Sequence, residues 1–166
     1  MKLRSVALAL VVAGCGGDPS ISDLFHDEVS NVCHRVFDCK DQYDASMHTG
    51  ETFEDYAGGS TVDECVTNAD GFLGSAADEA QAAVDAKRVK YDGAQAQKCL
   101  DAFDAETCDE VLEQNGQTEI TPTACAGVFT GLVATGGSCT EDIDCASDDG
   151  CDGAPMTCGG GDGSAR

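Results

Sequence analysis

Eleven cysteines in 166 residues constrain this chain more tightly than any apolar pattern it carries. Ten of them, Cys33, Cys39, Cys65, Cys99, Cys108, Cys125, Cys139, Cys145, Cys151 and Cys158, are spread along the chain from its first long apolar stripe onward. The eleventh, Cys15, stands apart at the end of a short apolar run. An even set of cysteines in an oxidising compartment reads as a disulfide framework, here of up to five bonds, and the odd cysteine is then the one with a separate task. Zinc is the competing reading. It is disfavoured because no two cysteines are separated by only two residues, the unit from which most cysteine zinc sites are built. No metal site and no cofactor is expected.

The N-terminus carries Lys2 and Arg4, then an apolar run from Val6 to Val12. That run is far below the ~20 residues of a membrane-spanning helix and suits a signal peptide. The stretch Leu10-Val11-Val12-Ala13-Gly14-Cys15 resembles the lipobox of bacterial lipoproteins. The resemblance implies that residues 1–14 are removed and that Cys15, diacylated on sulfur, becomes the lipid-bearing N-terminus. An ordinary secretory signal is the alternative, since Val12 and Gly14 also fit the small-residue positions of a standard cleavage site. Either way the chain is expected to be exported. With Lys2 and Arg4 gone, seven of the nine basic residues face thirty-one acidic ones, a net charge of −24. A field of that sign repels nucleic acid and attracts cations, so nucleic acid is excluded as a partner and weak cation binding is the most the charge supports. Most of the carboxylates are expected to form a solvated surface.

Gly16-Gly17-Asp18-Pro19-Ser20 is polar and rich in glycine, which with Cys15 predicts a lipidated tether over residues 15–20. Ile21, Phe25, Val29, Val32, Val36 and Phe37 then predict a helix capped by Ser22 and ending near Cys39. His26 and His34 lie eight apart rather than three or four, and are read as surface residues. Residues 40–60 read as a connector with one helical turn around Phe53 and Tyr56. Thr61 and Glu64 have capping-box spacing ahead of Val62, Cys65, Val66, Ala69 and Phe72, and Gly74-Ser75 is expected to break that helix. Ser75 would cap a further helix with the stripe Ala76, Ala80, Ala83 and Val84. Arg88-Val89-Lys90-Tyr91 is extended in character, and Asp92 with Gln95 precedes the stripe Ala96, Cys99, Leu100 and Phe103. Thr107 and Glu110 precede Val111 and Leu112, Asn115-Gly116 stops that helix, and Pro122 suits a short turn near Cys125. The fold class expected is mainly α: a disulfide-stapled helical bundle over residues 21–135, a small irregular cysteine-rich module over 136–158, and a flexible tail over 159–166.

The run from Gly136 to Cys145, Gly-Gly-Ser-Cys-Thr-Glu-Asp-Ile-Asp-Cys, resembles about half of a small cysteine module of the Dickkopf and colipase type. Three blocks extend the likeness over most of the mature chain. They are Arg88–Asp92 leading to Cys99-Leu100, Cys108 before Val111-Leu112, and Cys125–Phe129 leading to Gly136–Cys139. Together they are similar to the cysteine-rich lipoproteins that myxobacterial-type genomes carry in many copies, a family that brings an address and an architecture but no catalytic residue.

No Gly-x-Ser-x-Gly elbow, His-Glu-x-x-His, phosphate-binding glycine loop or Ser-x-x-Lys occurs. Asp142, Asp144, Asp148, Asp149 and Asp152 crowd one loop-rich stretch, but a calcium loop of the EF-hand type fails there. Asp148-x-Gly150-x-Asp152 lacks an oxygen ligand at its third position, and Gly159 stands where the bidentate glutamate belongs. The function expected is a lipid-anchored, non-enzymatic interaction or structural component of the cell envelope. Its protein partner is unnamed by the sequence. The alternative is a secreted hydrolase, for which a pocket gathering His48 or His34 with acids and a nucleophile would be the sign. Helix ends predict the connectivity: Cys39–Cys65 across a hairpin, Cys99–Cys108 across a turn, Cys33–Cys125 by elimination, and the crossed pair Cys139–Cys151 and Cys145–Cys158 in the tail.

Overall fold

A computed structural model of the protein describes residues 17–44, 50–113, 122–147 and 150–159. The signal segment, Cys15, His48, the Asn115-Gly116 stop, Asp148, Asp149 and the tail beyond Gly159 lie outside the described residues, as does the side chain of Phe72. Among the described residues the chain is mainly helical and cross-linked by five disulfides, with a few short strands.

Helix α1 (Ile21–Asp38) is capped two residues before the expected position. Ser20, not Ser22, is the N-cap: its hydroxyl accepts from the Asp23 amide at 3.1 Å, and its own amide donates to the Asp23 carboxylate at 3.2 Å. The acid three residues on decides between the two serines, because only Ser20 completes a capping box. Residues 18–20 are tied to the fold as well, since the Tyr91 hydroxyl donates to the Pro19 carbonyl. The connector holds a 3-10 turn, Lys40–Gln42, and one helical turn, α2 (Phe53–Tyr56).

Helix α3 (Val62–Asp85) runs unbroken through Gly71 and Gly74, against the expected break at Gly74-Ser75. Each exposed glycine costs a helix about 1 kcal/mol against alanine. That cost is offset by packing, since Val62, Cys65, Val66, Ala69 and Leu73 lie along α1 around Val29 and Cys33. Cys33 bonds Cys65, His26 meets Asp70, and Ser22 shares a cleft with Ala77 and Asp78, so the two helices run antiparallel. Helix α3 ends with Lys87 at φ 59°, its amide bonded to the Val84 carbonyl and the Arg88 amide to that of Ala83. This is a Schellman stop made without glycine, and it turns the chain into β1 (Val89–Tyr91).

Asp92 caps α4 (Gly93–Asp104) through the Gln95 amide. The side chain of Gln95 does not return to the cap but donates to the Ala124 carbonyl, holding the 3-10 turn Thr123–Cys125 against α4. Helix α5 (Cys108–Glu113) begins with the reciprocal Thr107–Glu110 box read from the sequence. Strand β2 (Phe129–Gly131) pairs antiparallel with β1, Val89 opposite Gly131 and Tyr91 opposite Phe129. One buried cluster joins Leu24 to Ala96, Leu100, Phe103 and Val128; a second joins Val36, Phe53, Ala57 and Val111. Beyond β2, the hairpin of β3 (Cys151–Asp152) and β4 (Thr157–Cys158) packs around four buried half-cystines with Val133 as their apolar neighbour.

The tail bonds are the crossed pair expected, Cys139–Cys151 and Cys145–Cys158. The other three are Cys33–Cys65, Cys39–Cys108 and Cys99–Cys125, which corrects all three pairings expected for the helices. Cys39 lies about 9 Å further along α1 than Cys33 at 1.5 Å per residue. The connector is folded back over that end of α1, where Phe53 and Ala57 pack on Val36, so α3 starts level with Cys33 instead. The buried Cys39 meets the first residue of α5. Cys99 lies on the stripe of α4 that packs on Val128 and Cys125, and it bonds Cys125 there.

Peptide mapping of the unreduced protein should therefore join 33 to 65, 39 to 108 and 99 to 125, and a 39–65 fragment would refute this packing. The Cys39–Cys108 bond closes the longest loop, with a sequence separation of 69 against 12 and 13 in the tail. The chain-entropy relation gives about 4 kcal/mol for it and about 3 for each tail bond. Replacing Cys39 and Cys108 together by alanine should lower the denaturant midpoint more than removing either tail bond.

Candidate functional site

The apolar faces of α1 and α3 do not close over each other along their whole length. They leave a cavity of about 590 Å³ roofed by the end of α2 and by α5. Val29, Val32 and Val36 come from α1 at helical spacing, Ala69 and Leu73 from α3, Tyr56 and Ala57 from α2, and Val111 from α5. The Cys33–Cys65 bond forms part of its wall. Small side chains explain the opening: Ala69 stands where a leucine-sized residue would fill the gap, and Gly58 with φ 70° lets the connector turn at the rim. The Asn68 amide donates to the Gly58 carbonyl at 2.6 Å and pins that rim to α3.

Glu28 is the one carboxylate in this lining. It lies partly buried, one residue before Val29, and burial pushes its carboxyl above the usual glutamate range. No hydrogen bond or ion pair reaches it among the described residues. A carboxyl raised by burial favours the fold while protonated and loses that favour as pH rises through its folded value. Glu28 therefore works against stability at neutral pH. No signal in the sequence marks it, because one glutamate on a stripe flank looks like any other of the thirty-one acids.

The histidines separate by position. His34 is exposed, and His48 is outside the described residues. His26, read as a surface residue, is exposed and bonds Asp70 across the two helices, Nδ1 to Oδ2 at 2.9 Å, with Ser22 and Asp78 in the same cleft of about 250 Å³. A nucleophilic site would need the serine hydroxyl on the other ring nitrogen. Among the described residues no such bond is made, and the His26 and Asp70 side chains are 59% and 39% exposed, which leaves the pair screened by water.

Charge is buried most deeply where the cystine module meets the helices. Asp144 ends the 3-10 turn Asp142–Asp144 and is 0% exposed. Its Oδ2 accepts from Arg88 Nε at 2.8 Å, from the Thr140 amide at 2.8 Å, from the Thr140 hydroxyl at 3.0 Å and from the Glu141 amide at 3.4 Å. Burial raises its carboxyl, but the hydrogen bonds from Thr140, Arg88 and Glu141 outweigh that and hold it below the usual aspartate range. The Schellman stop at Lys87 aims Arg88 at this carboxylate, and Arg88 also reaches the Thr140 hydroxyl at 2.9 Å. Gly131 completes the junction: a Cβ there would stand 2.0 Å from the Cys145 carbonyl, so β2 and the module meet backbone to backbone.

Of the acids crowded in the tail, two have partners within the fold. Asp144 turns toward Arg88, Asp142 accepts from the Cys151 amide at 2.6 Å, and Asp148 and Asp149 are outside the described residues. Among the described residues the only grouping at metal-ligand spacing is Cys139, Cys145 and Cys158, whose sulfurs are already in disulfide bonds. No protein family, curated protein or solved structure matches the chain.

Replacing Arg88 by alanine leaves a fully buried carboxylate short of its charged partner, and should cost about 2–4 kcal/mol at neutral pH. The loss should shrink toward pH 3, because a carboxyl with a depressed folded value contributes stability only while it is ionised. Urea unfolding of both proteins at pH 7 and pH 3 measures the difference. An equal cost at the two pH values would show that Arg88 acts through packing alone.

Proposed function

We propose that the protein is an exported, lipid-anchored component of the cell envelope that works by binding rather than by catalysis. The observation that carries the reading is cysteine parity: five bonds use Cys33 to Cys158 completely and leave Cys15 alone, at the end of the lipobox-like run. Five disulfides suit an oxidising compartment, and among the described residues no helix is long and apolar enough to cross a membrane. A lipid on Cys15 would supply the attachment, with the short segment before α1 as its tether. The three sequence blocks resembling myxobacterial-type cysteine-rich lipoproteins, and the Dickkopf- and colipase-like half module, support the same address. On this reading α1 to α5 form a small helical bundle that presents the apolar cavity, and the module at its end is a rigid appendage.

The hydrolase alternative gains little. His26 and Asp70 are paired, but their one nearby hydroxyl, Ser22, makes no bond to the ring among the described residues.

Changing Cys15 to serine should abolish acylation and move the protein from the membrane to the soluble fraction, or leave it as uncleaved precursor. Detergent phase partitioning and intact mass measure this. Wild-type protein that carries no acyl mass, or a Cys15→Ser variant that still partitions with detergent, would refute the anchor.

A further inference from the structure

We infer that the cavity between α1 and α3 is a binding site for a small amphiphile with an apolar body and an organic ammonium head, held by Glu28. The inference rests on the binding role proposed above but not on the lipid anchor.

Three observations converge on that chemistry. At about 590 Å³ the cavity has the size of sites that take one small organic molecule, within the usual range of about 300–1,000 Å³. Its walls are the valines of α1, Ala69, Leu73, Ala57 and Val111, which favour an alkyl or aromatic body and exclude a strongly hydrated one. Glu28 supplies the only charge in the lining and has no cation of the protein beside it among the described residues. A partly desolvated carboxylate without a partner is costly, and an ammonium group entering with the ligand removes that cost by a charge-assisted hydrogen bond. An anionic amphiphile would bring a second negative charge to the same place. A neutral one would fill the walls and leave the carboxylate unpaired. The remaining polar side chains at the rim do not compete for the role, because Asn68 is bonded to Gly58 and the Tyr56 hydroxyl donates to the Val111 carbonyl.

Asp144 is the internal control for this reading. Its carboxylate is fully buried, and its charge is answered within the protein by Arg88, Thr140 and Glu141 on Oδ2, although Oδ1 accepts no hydrogen bond among the described residues. Glu28 is the partly buried acid of the cavity, and no cation or hydrogen-bond donor meets it among the described residues.

The test is calorimetric titration of the oxidised full chain carrying Cys15→Ser, which is free of lipid and detergent whatever the wild type carries. The probes are dodecylammonium and dodecyl sulfate, both below their micellar concentrations and at about 150 mM salt, where exposed charges are largely screened. Dodecylammonium should bind saturably, one per chain, and at least about tenfold more tightly than dodecyl sulfate. Glu28→Gln should reduce dodecylammonium affinity about tenfold and remove most of the preference, whereas Glu79→Gln, an exposed acid on α3 outside the cavity, should change neither. Ala69→Phe, which places a ring in the cavity, should weaken both probes together. The inference is overturned by equal effects of Glu28→Gln and Glu79→Gln, by unsaturable binding of many ligands per chain, by no preference between the probes, or by an Ala69→Phe variant that binds like the parent.

Discussion

The covalent attachment of α3 and α5 to α1 is the constraint on which the rest of the molecule depends. Cys33 within α1 and Cys39 at its C-cap bond to the first turns of α3 and α5 respectively. The non-covalent material at these contacts is modest: alanines and valines predominate, there is no tryptophan, and a cavity remains between the two longest helices. Each bond of this loop length is worth about 3–4 kcal/mol in the chain-entropy picture, against the ~5–15 kcal/mol by which an ordinary domain is stable. A core this thin can leave space unfilled because its helices are held by sulfur. The cavity is thus a consequence of the disulfides as much as of the small side chains that line it.

The local devices were legible and the long-range ones were not. Thr107 with Glu110, Asp92 with the Gln95 amide, and the extended Val89–Tyr91 segment follow from residue types within four positions of one another. Ser20 was readable too, since Asp23 stands three residues on, yet the polarity of Gly16–Ser20 drew those residues into a tether. Gly74 misled because propensity counts a glycine the same everywhere, while the contacts of Ala69 and Leu73 on α1 keep the helix going through it. The three helical disulfides failed together for one reason. The route of residues 40–60 decides how far α3 slides along α1, and nothing in that segment's composition states that α2 folds back over Val36. In the tail, two loops of 12 and 13 residues with almost nothing else to bury leave little choice, and the crossed pairing was readable.

Two acids, Asp144 fully buried and Glu28 partly buried, show opposite uses of a charge. Asp144 meets its donors through Oδ2 and joins the cystine module to the helices through Arg88, so its charge serves the architecture. Glu28 lies against valines with its carboxyl pushed up by burial, and the fold would be better off without the charge. A charge answered by a cation of the protein serves the architecture; one without such an answer is where the binding inferred above would act. Neither could be singled out among thirty-one acids by sequence, because the difference lies in which distant residues face them.

The primacy of the disulfide framework can be measured directly by near- and far-ultraviolet circular dichroism melts of the protein before and after complete reduction and alkylation in native buffer. The predicted result is a cooperative transition with strong helical signal for the oxidised protein, and for the reduced, alkylated protein a loss of the cooperative transition and of the near-ultraviolet tyrosine signal. A reduced protein that keeps both, melting cooperatively within a few degrees of the oxidised one, would contradict it and place the stability in the apolar core instead.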